Sequence, residues 1–232
     1  MEKKKNLVVL TGAGMSAESG LKTFREMGGL WEQYEVTEVA TPEAFERNPE
    51  LVMRFYNERR KQLLETEPNM GHIGLADLEK YFNIQIVTQN VDDLHERAGS
   101  SNILHLHGEL IKARSTGDSS LVSTIDGWEL KIGDKCEKGS QLRPHIVWFG
   151  EAVPNIEKAV PILKNADILV IIGTSMQVYP AASLMHYAPA ETPVFLIDPN
   201  ETALGYNENI TFLKMGAGEG VSKLKELLSH YV

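Results

Sequence analysis

The chain has 232 residues, 42% of them hydrophobic and 24% charged, and a formal net charge of −9. That length suits one large domain or a domain with an insertion, and the composition is that of a globular chain. The charge argues against a nucleic-acid surface and suits basic peptide partners, and no apolar run nears the roughly 20 residues a bilayer span needs.

Leu7-Val8-Val9-Leu10 is a short apolar run of the kind a buried parallel strand makes, and Thr11-Gly12-Ala13-Gly14 stops it. The basic start before it has only this four-residue apolar core, too short for a signal peptide. With one cysteine, Cys136, no internal disulfide forms, and a reducing cytoplasm fits. Glycines directly after a strand let the backbone approach an anion, and the next helix start offers N–H groups. The chain thus opens like a dinucleotide-binding unit, though without the third glycine of the usual fingerprint. Its continuation, Met15-Ser16-Ala17-Glu18-Ser19-Gly20 and then Thr23-Phe24-Arg25, is more than a plain turn needs.

Glu26 to Pro68 reads as helix-rich, with Trp31, Tyr34, Phe45, Phe55 and Tyr56. Within the helical pattern from Pro49 to Leu64, Tyr56 and Arg59 are three apart and share a face. A hydroxyl beside a guanidinium fork suits a carboxylate, and a solvated helix face is the other use of that pattern. A helix is expected over Gly71 to Tyr81, then a strand, Ile84 to Val87, running into Thr88-Gln89-Asn90-Val91-Asp92. Gln89, Asn90 and Asp92 could hold a carboxamide or ribose hydroxyls; the same residues also suit a polar loop whose aspartate caps the next helix near Asp93.

Ile103-Leu104-His105-Leu106 leads to His107-Gly108-Glu109. If the segment is extended, His105 and His107 point to one face. A histidine at a strand end can act as a general base near neutral pH, although a lone histidine is more often structural. No HxxxH or CxxC nearby completes a zinc ligand set. Ala113 to Leu142 is polar and turn-rich, with Gly117, Gly127, Gly133 and Gly139. Arg143 to Glu151 is apolar and extended, either a core strand or a backbone edge for an incoming peptide. A helix is expected over Asn155 to Asn165. Ile168 to Ile172 then runs into Gly173-Thr174-Ser175, and Val194 to Ile197 into Asp198-Pro199-Asn200. A carboxylate at Asp198 could accept from ribose hydroxyls or simply shape a turn.

Strands alternating with helices predict an α/β fold with a Rossmann-like parallel sheet, whose ligands sit beyond the carboxyl ends of the strands. Residues 29–68 and 113–142 break the alternation. They are expected to form a smaller module from two insertions, leaving 1–28, 69–112 and 143–232 as the large domain.

Together these residues resemble the sirtuins, the NAD-dependent protein-lysine deacylases. The match runs through Gly12-Ala13-Gly14-Met15-Ser16, Ser19-Gly20, Phe24-Arg25, Thr88 to Asp92, His107-Gly108, Val147-Trp148-Phe149-Gly150-Glu151 and Gly173-Thr174-Ser175. The resemblance implies NAD held by Gly12, Ala13, Gly14, Ser16, Glu18, Phe24, Arg25, Trp31, Gln89, Asn90, Asp92, Gly173, Thr174 and Ser175. The adenosine end would lie near Asp198, Asn200 and Ala217. His107 falls on the catalytic histidine, with Asn90 and Asp92 positioning water and the carboxamide. Val147, Phe149, Gly150 and Glu151 fall on the acyl-lysine tunnel, and the substrate peptide is expected between that segment and Val178-Tyr179. The implied reaction transfers an acyl group from lysine to the ribose of NAD, giving free lysine, nicotinamide and O-acyl-ADP-ribose. The partners would be acyl-lysine proteins or peptides, with no nucleic acid and no membrane.

Tyr56 and Arg59 match the pair with which the desuccinylase and demalonylase branch holds an acidic acyl end, so succinyl- or malonyl-lysine is expected beside acetyl-lysine. Most sirtuins carry two CxxC pairs in the small module, whereas this chain has Cys136 alone. No structural zinc is therefore expected. The module would instead be held by Leu121, Val122, Ile125, Trp128, Leu130 and Ile132, whose alternation suggests a small hairpin or sheet. A sirtuin-like mono-ADP-ribosyltransferase and a non-catalytic nucleotide sensor share the same NAD motifs and are the competing readings.

Overall fold

In a computed structural model, residues 3–21, 34–174, 181–200 and 209–231 are described. The apolar runs form the strands of a six-stranded, fully parallel sheet: β1 (Asn6–Thr11), β2 (Asn83–Thr88), β3 (Ile103–His105), β7 (Ile168–Ile172), β8 (Val194–Ile197) and β9 (Ile210–Leu213). Their order is β3-β2-β1-β7-β8-β9. β1 pairs with β2 on one side, Leu7 opposite Ile84, and with β7 on the other, Leu7 opposite Ile168. The chain order reverses between β1 and β7, and in such sheets the crevice beyond that reversal is where ligands bind.

Side chains along a strand alternate between faces, and here both faces are covered. Leu7, Val9, Ile84, Ile86, Ile168 and Val170 bury against Leu75 and Leu78 of one helix and Val221 and Leu224 of another. Those helices are Met70–Leu78 and Ala217–Leu228. Val8, Leu10, Leu169 and Ile171 face the other way, onto Ala159 and Leu163 of the helix Ile156–Lys164 and Leu184 of a 3-10 turn. That two-sided burial is why the strands read as unbroken apolar runs.

Among the described residues the helices, in chain order, are α1 (Gly14–Ala17), α2 (Val36–Val39), α3 (Pro42–Arg47), α4 (Pro49–Leu64), α5 (Met70–Leu78), α6 (Leu94–Arg97), α7 (Ile156–Lys164) and α8 (Ala217–Leu228). α4 begins where Asn48 Oδ1 accepts from Leu51 N and Pro49 supplies the first helical φ. Its buried stripe, Val52, Phe55, Tyr56 and Leu63, packs on Leu110, Ile146 and Trp148. Burying each of the apolar members stabilises the fold by roughly 1.5–3 kcal/mol. Leu110 and Ile146 belong to a separate antiparallel sheet of β4 (Gly108–Ser115), β5 (Val122–Thr124) and β6 (Leu142–Ile146), ordered β5-β4-β6, and Trp148 follows β6.

The expected hydrophobic alternation in 121–132 does not hold this small sheet together. Leu130 is buried against Met53 and Ala113, and Ile125 packs on that group, but Val122, Trp128 and Ile132 are 40%, 41% and 48% exposed. The reason is that β5 spans only Val122–Thr124, and Trp128 and Ile132 follow it in a bend and a turn rather than in a strand that could present a buried face. A polar clamp from α4 takes over. Asn57 Oδ1 accepts from Leu130 N and Asn57 Nδ2 donates to Leu130 O, at 3.0 and 2.9 Å. Buried Arg60 donates to the carbonyls of Leu110 and Trp128 and to Asn57 Oδ1, at 2.6, 2.7 and 2.8 Å. Cys136 Sγ lies 3.2 Å from Ser115 Oγ. No helix among the described residues is long and apolar enough to cross a membrane.

Candidate active site

The loops after β1 and β7 meet backbone to backbone. Gly12 N donates to Ile172 O at 3.0 Å and Gly14 N to Gly173 O at 2.9 Å. A Cβ on Gly12 would stand 2.7 Å from Thr174 Cβ, and one on Gly14 would stand 2.6 Å from Gly173 Cα. Gly173, at φ +60°, would put a Cβ 2.3 Å from Met15 N. Only glycine fits this crossing. The three glycines let the loops after β1 and β7 close on each other at the sheet's switch point, where sheets of this kind bind their ligands. Past α1, Glu18 accepts from Gly218 N at 3.1 Å, tying the loop to the first turn of α8, where Ala217 is buried. Asp198 follows β8 and accepts from Asn200 N at 2.9 Å.

Ser16, Asn90 and Asp92 converge below that crossing. Ser16 Oγ donates to Asp92 Oδ2 at 2.9 Å and accepts from Asn90 Nδ2 at 3.0 Å. Asp92 Oδ1 also accepts from Leu94 N, so Asp92 rather than Asp93 serves the start of α6. Burial raises the Asp92 carboxyl above its usual range. Two histidines that the sequence did not single out lie underneath. His72 Nδ1 faces the Asn69 N–H at 3.3 Å, so the neutral ring carries its proton on Nε2, which is 3.5 Å from Ser16 Oγ. His95 lies beside it, ring centroids 4.8 Å apart, with Nε2 3.3 Å from Thr11 Oγ1. Thr11 Oγ1 in turn donates to Thr88 Oγ1, which accepts from Asn90 N.

Burial pushes His72 down to about 4, and burial followed by the charges of His72 and His105 holds His95 well below its ordinary value. An unfolded histidine takes a proton below about 6.5, so stability is full above that pH and is lost as the pH falls toward 4. Wild type should lose about 2 kcal/mol through His72 alone between pH 7.5 and 5. Denaturant melts at both values should show the His72→Gln variant losing less stability than wild type; equal losses would contradict the assignment.

His105 and His107 do not share a ligand face. The chain leaves β3 at His105, and the two rings instead support adjacent carbonyls of the loop after β2. His105 Nδ1 lies 3.0 Å from Asn90 O and its Nε2 lies 2.8 Å from Glu96 Oε1. Burial opposes its charge, but the hydrogen bond and charge of Glu96 outweigh it and raise the pKa. His107 Nδ1 lies 3.1 Å from Gln89 O, which makes Nδ1 the donor and leaves Nε2 as the basic atom. Burial lowers its pKa against the effect of that hydrogen bond. Gln89 Nε2 donates to Thr174 Oγ1 at 3.1 Å, joining the loops after β2 and β7. Glu96, His105 and Glu109 could offer a cation three atoms within 4.8 Å, but Glu96 already pairs with His105 and Lys112 with Glu109.

The segment after β6 lies against His107: Val147 N donates to His107 O at 2.9 Å. Phe149 N donates to Ala40 O, its ring is half exposed, and Gly150 turns the chain at φ +89°. Glu151 is already paired: its carboxylate takes Arg114 and Arg143 and accepts from Trp148 N at 2.7 Å. Across from it on α4, buried Tyr56 accepts from Trp148 Nε1 at 3.0 Å. Arg59 places its guanidinium carbon 5.9 Å from the Tyr56 ring centroid. Burial lowers the Arg59 pKa, and Tyr56 and Asp92 act against that, so Arg59 stands within electrostatic reach of the Ser16–Asp92 cluster.

The fold therefore brings Gly12, Gly14, Ser16, Gln89, Asn90, Asp92, Gly173 and Thr174 to one crevice, with His107 at its edge. Ala13 lies in the same glycine turn. Phe24, Arg25, Trp31, Ser175, Val178 and Tyr179 lie outside the described residues. His72 carried one readable signal, an Asn-x-x-His spacing at a helix start; His95 and Arg60 carried none beyond the helical period.

A family model described as the Sir2 family matches residues 12–180. An NAD-dependent protein deacylase of Bacteroides thetaiotaomicron is 59% identical over 229 residues, covering 97% of this chain and 98% of that protein. One from Helicobacter pylori is 52% identical over 222 residues, covering 95% and 96%. A Sir2 homologue solved as its NAD complex superposes with a TM-score of 0.87 at 39% identity, covering 99% of this chain and 91% of that one. The chain belongs to the Sir2 family.

Proposed function

We propose that the protein is an NAD-dependent protein-lysine deacylase that removes succinyl and malonyl groups as preferred or co-preferred substrates and accepts acetyl groups. Membership of the Sir2 family and two relatives named as NAD-dependent protein deacylases support the activity. The observation that carries the acyl preference is the placement of buried Tyr56 and half-buried Arg59 side by side on α4, with Tyr56 bonded to Trp148 of the segment after β6.

NAD, when bound, supplies a ribose carbon carrying a positively charged leaving group. The glycine crossing accommodates the pyrophosphate, with Ala13, Ser16 and Thr174 beside it and Phe24, Arg25, Trp31 and Ser175 assigned by family resemblance. Glu18, Asp198, Asn200 and Ala217 take the adenosine side. Ser16 holds Asn90 and Asp92 in one arrangement, which orients the carboxamide and the water near it. His107 accepts a ribose hydroxyl proton at Nε2, and its lowered pKa keeps that atom unprotonated and available at neutral pH. Val147, Phe149 and Gly150, with Val178 and Tyr179 opposite, flank the acyl-lysine peptide. We take 1–28, 69–112 and 143–232 as the NAD-binding part and 29–68 with 113–142 as a zinc-free small module. The setting we infer is cytoplasmic, without nucleic-acid or membrane partners.

Arg59→Met tests this reading. A hydrogen-bonded pair between guanidinium and carboxylate is worth on the order of 1–3 kcal/mol, or about 5- to 150-fold. The variant's kcat/KM should fall by that factor on succinyl-lysine peptide and far less on acetyl-lysine peptide. Equal losses on both would reject an acyl-end role for Arg59.

A further inference from the structure

A phenol can donate or accept, so Tyr56 serves an acidic acyl end only if something fixes its direction. An indole N–H can only donate. Trp148 Nε1 sits 3.0 Å from Tyr56 Oη, so the Tyr56 oxygen accepts there and its own hydrogen must point elsewhere. Among the described residues that hydrogen meets no acceptor. Burial, the largest influence, pushes Tyr56 up to about 12, so the hydrogen is present at any assay pH near neutrality.

Trp148 is itself held from several sides. The Arg143 guanidinium carbon lies 3.2 Å from its ring centroid, and Phe45 packs at 5.3 Å. Arg143 is anchored to Glu151 at 2.7 Å and to Ile146 O at 2.9 Å. Glu151 also binds Arg114 and the Trp148 backbone N–H. That pairing matters electrostatically, because an unneutralised Glu151 would repel an incoming carboxylate. The result is a phenolic O–H and a guanidinium on one face, both donors. Such a pair suits a carboxylate and offers an acetyl methyl nothing.

We propose that Trp148 is a specificity-determining positioning residue: its indole N–H commits Tyr56 to donate toward the carboxylate of an acidic acyl group, beside Arg59. This rests on the acyl-end reading of Tyr56 and Arg59, and deepens it by naming what sets the polarity of the site. Phe149 and Val147 line the path; Trp148 acts from behind, through Tyr56.

The test compares kcat and KM on two peptides that differ only in a succinyl or acetyl lysine, for wild type, Trp148→Phe, Tyr56→Phe, the double variant and Arg59→Met. Trp148→Phe should lower the succinyl-to-acetyl ratio of kcat/KM about 5- to 10-fold, through a higher KM for the succinyl peptide. In the Tyr56→Phe background the same change should leave the ratio where it is. An unchanged ratio in Trp148→Phe, or an equal drop with and without the Tyr56 oxygen, overturns the inference while Arg59→Met still collapses desuccinylation. A wild type without desuccinylation, or an Arg59→Met variant with an unaltered ratio, overturns the acyl-end reading itself and the inference with it. Should Trp148→Phe not fold, benzothienylalanine at position 148 keeps the shape and removes the N–H, with the same two outcomes.

Discussion

His107→Ala should lower the deacylation rate by about 10²–10⁴ while leaving NAD affinity within a few-fold of wild type, because general-base catalysis contributes on that scale and the ring is at the edge of the nucleotide crevice. The base assignment follows from the tautomer. Nδ1 is spent on Gln89 O, and no other partner of the ring is found among the described residues, so the lone pair sits on Nε2. Burial lowers the pKa below the ordinary 6.5. The acid limb of kcat/KM for wild type should therefore lie below pH 6.5 and vanish from the residual activity of the variant. Steady-state rates from pH 5 to 8, with calorimetric NAD titrations of both proteins, check this. A variant that binds no NAD would make His107 a binding residue rather than the base.

Arg60→Met should destabilise the fold by on the order of 3 kcal/mol, and a strong metal chelator should leave the melting temperature of wild type unchanged. The first part follows from what Arg60 holds. It is fully buried, and it donates to two main-chain carbonyls of the small module and to the amide that pairs with Leu130. Hydrogen bonds to a charged donor contribute about 1.5–3 kcal/mol each, and carbonyls left unpaired in the interior cost more than the packing regained by Met. Burial lowers the guanidinium to about 10, still charged at neutral pH. For a chain of this size that loss corresponds to about 6–12 °C in melting temperature. The second part follows from a module organised by α4 through Asn57 and Arg60. Thermal melts with and without chelator, and metal analysis of purified protein, decide it: one zinc per chain, or a drop in melting temperature on chelation, contradicts the zinc-free account.

The large sheet was legible because its chemistry is local. Val8 and Val9 are both apolar since they face two covered layers, and the polar residues that end β1, β2 and β7 stand at the crevice because strand ends are where a parallel sheet exposes its loops. Thr88 to Asp92 and Gly173-Thr174 are therefore readable as site segments from the sequence alone. The small module was not. Alternation in 121–132 looks like a buried face, yet only Val122–Thr124 forms a strand, and Trp128 and Ile132 lie beyond it in a bend and a turn and stay exposed. Arg60 is four residues beyond Tyr56 and three before Leu63, which places it on the buried stripe of α4. Its charge argues for solvent, and only the carbonyls of Leu110 and Trp128, distant in the chain, explain its burial. His72 and His95 are similar: each is a single imidazole in a helical pattern, and their shared position beneath Ser16 arises from the packing of α5 and α6 beside the sheet. His105 and His107 show the limit of period-two reasoning, since one turn after β3 gives them separate partners.

The proposed function requires this crevice to couple NAD cleavage to removal of an acyl group from lysine. The most direct measurement is mass spectrometric product analysis after incubation with NAD and succinyl-, malonyl- or acetyl-lysine peptide. Equal amounts of freed lysine peptide, nicotinamide and O-acyl-ADP-ribose are expected, with the deacylated product falling by about 10²–10⁴ in His107→Ala. Nicotinamide release accompanied by ADP-ribose on protein with the acyl group intact, or no consumption of NAD at all, would contradict it.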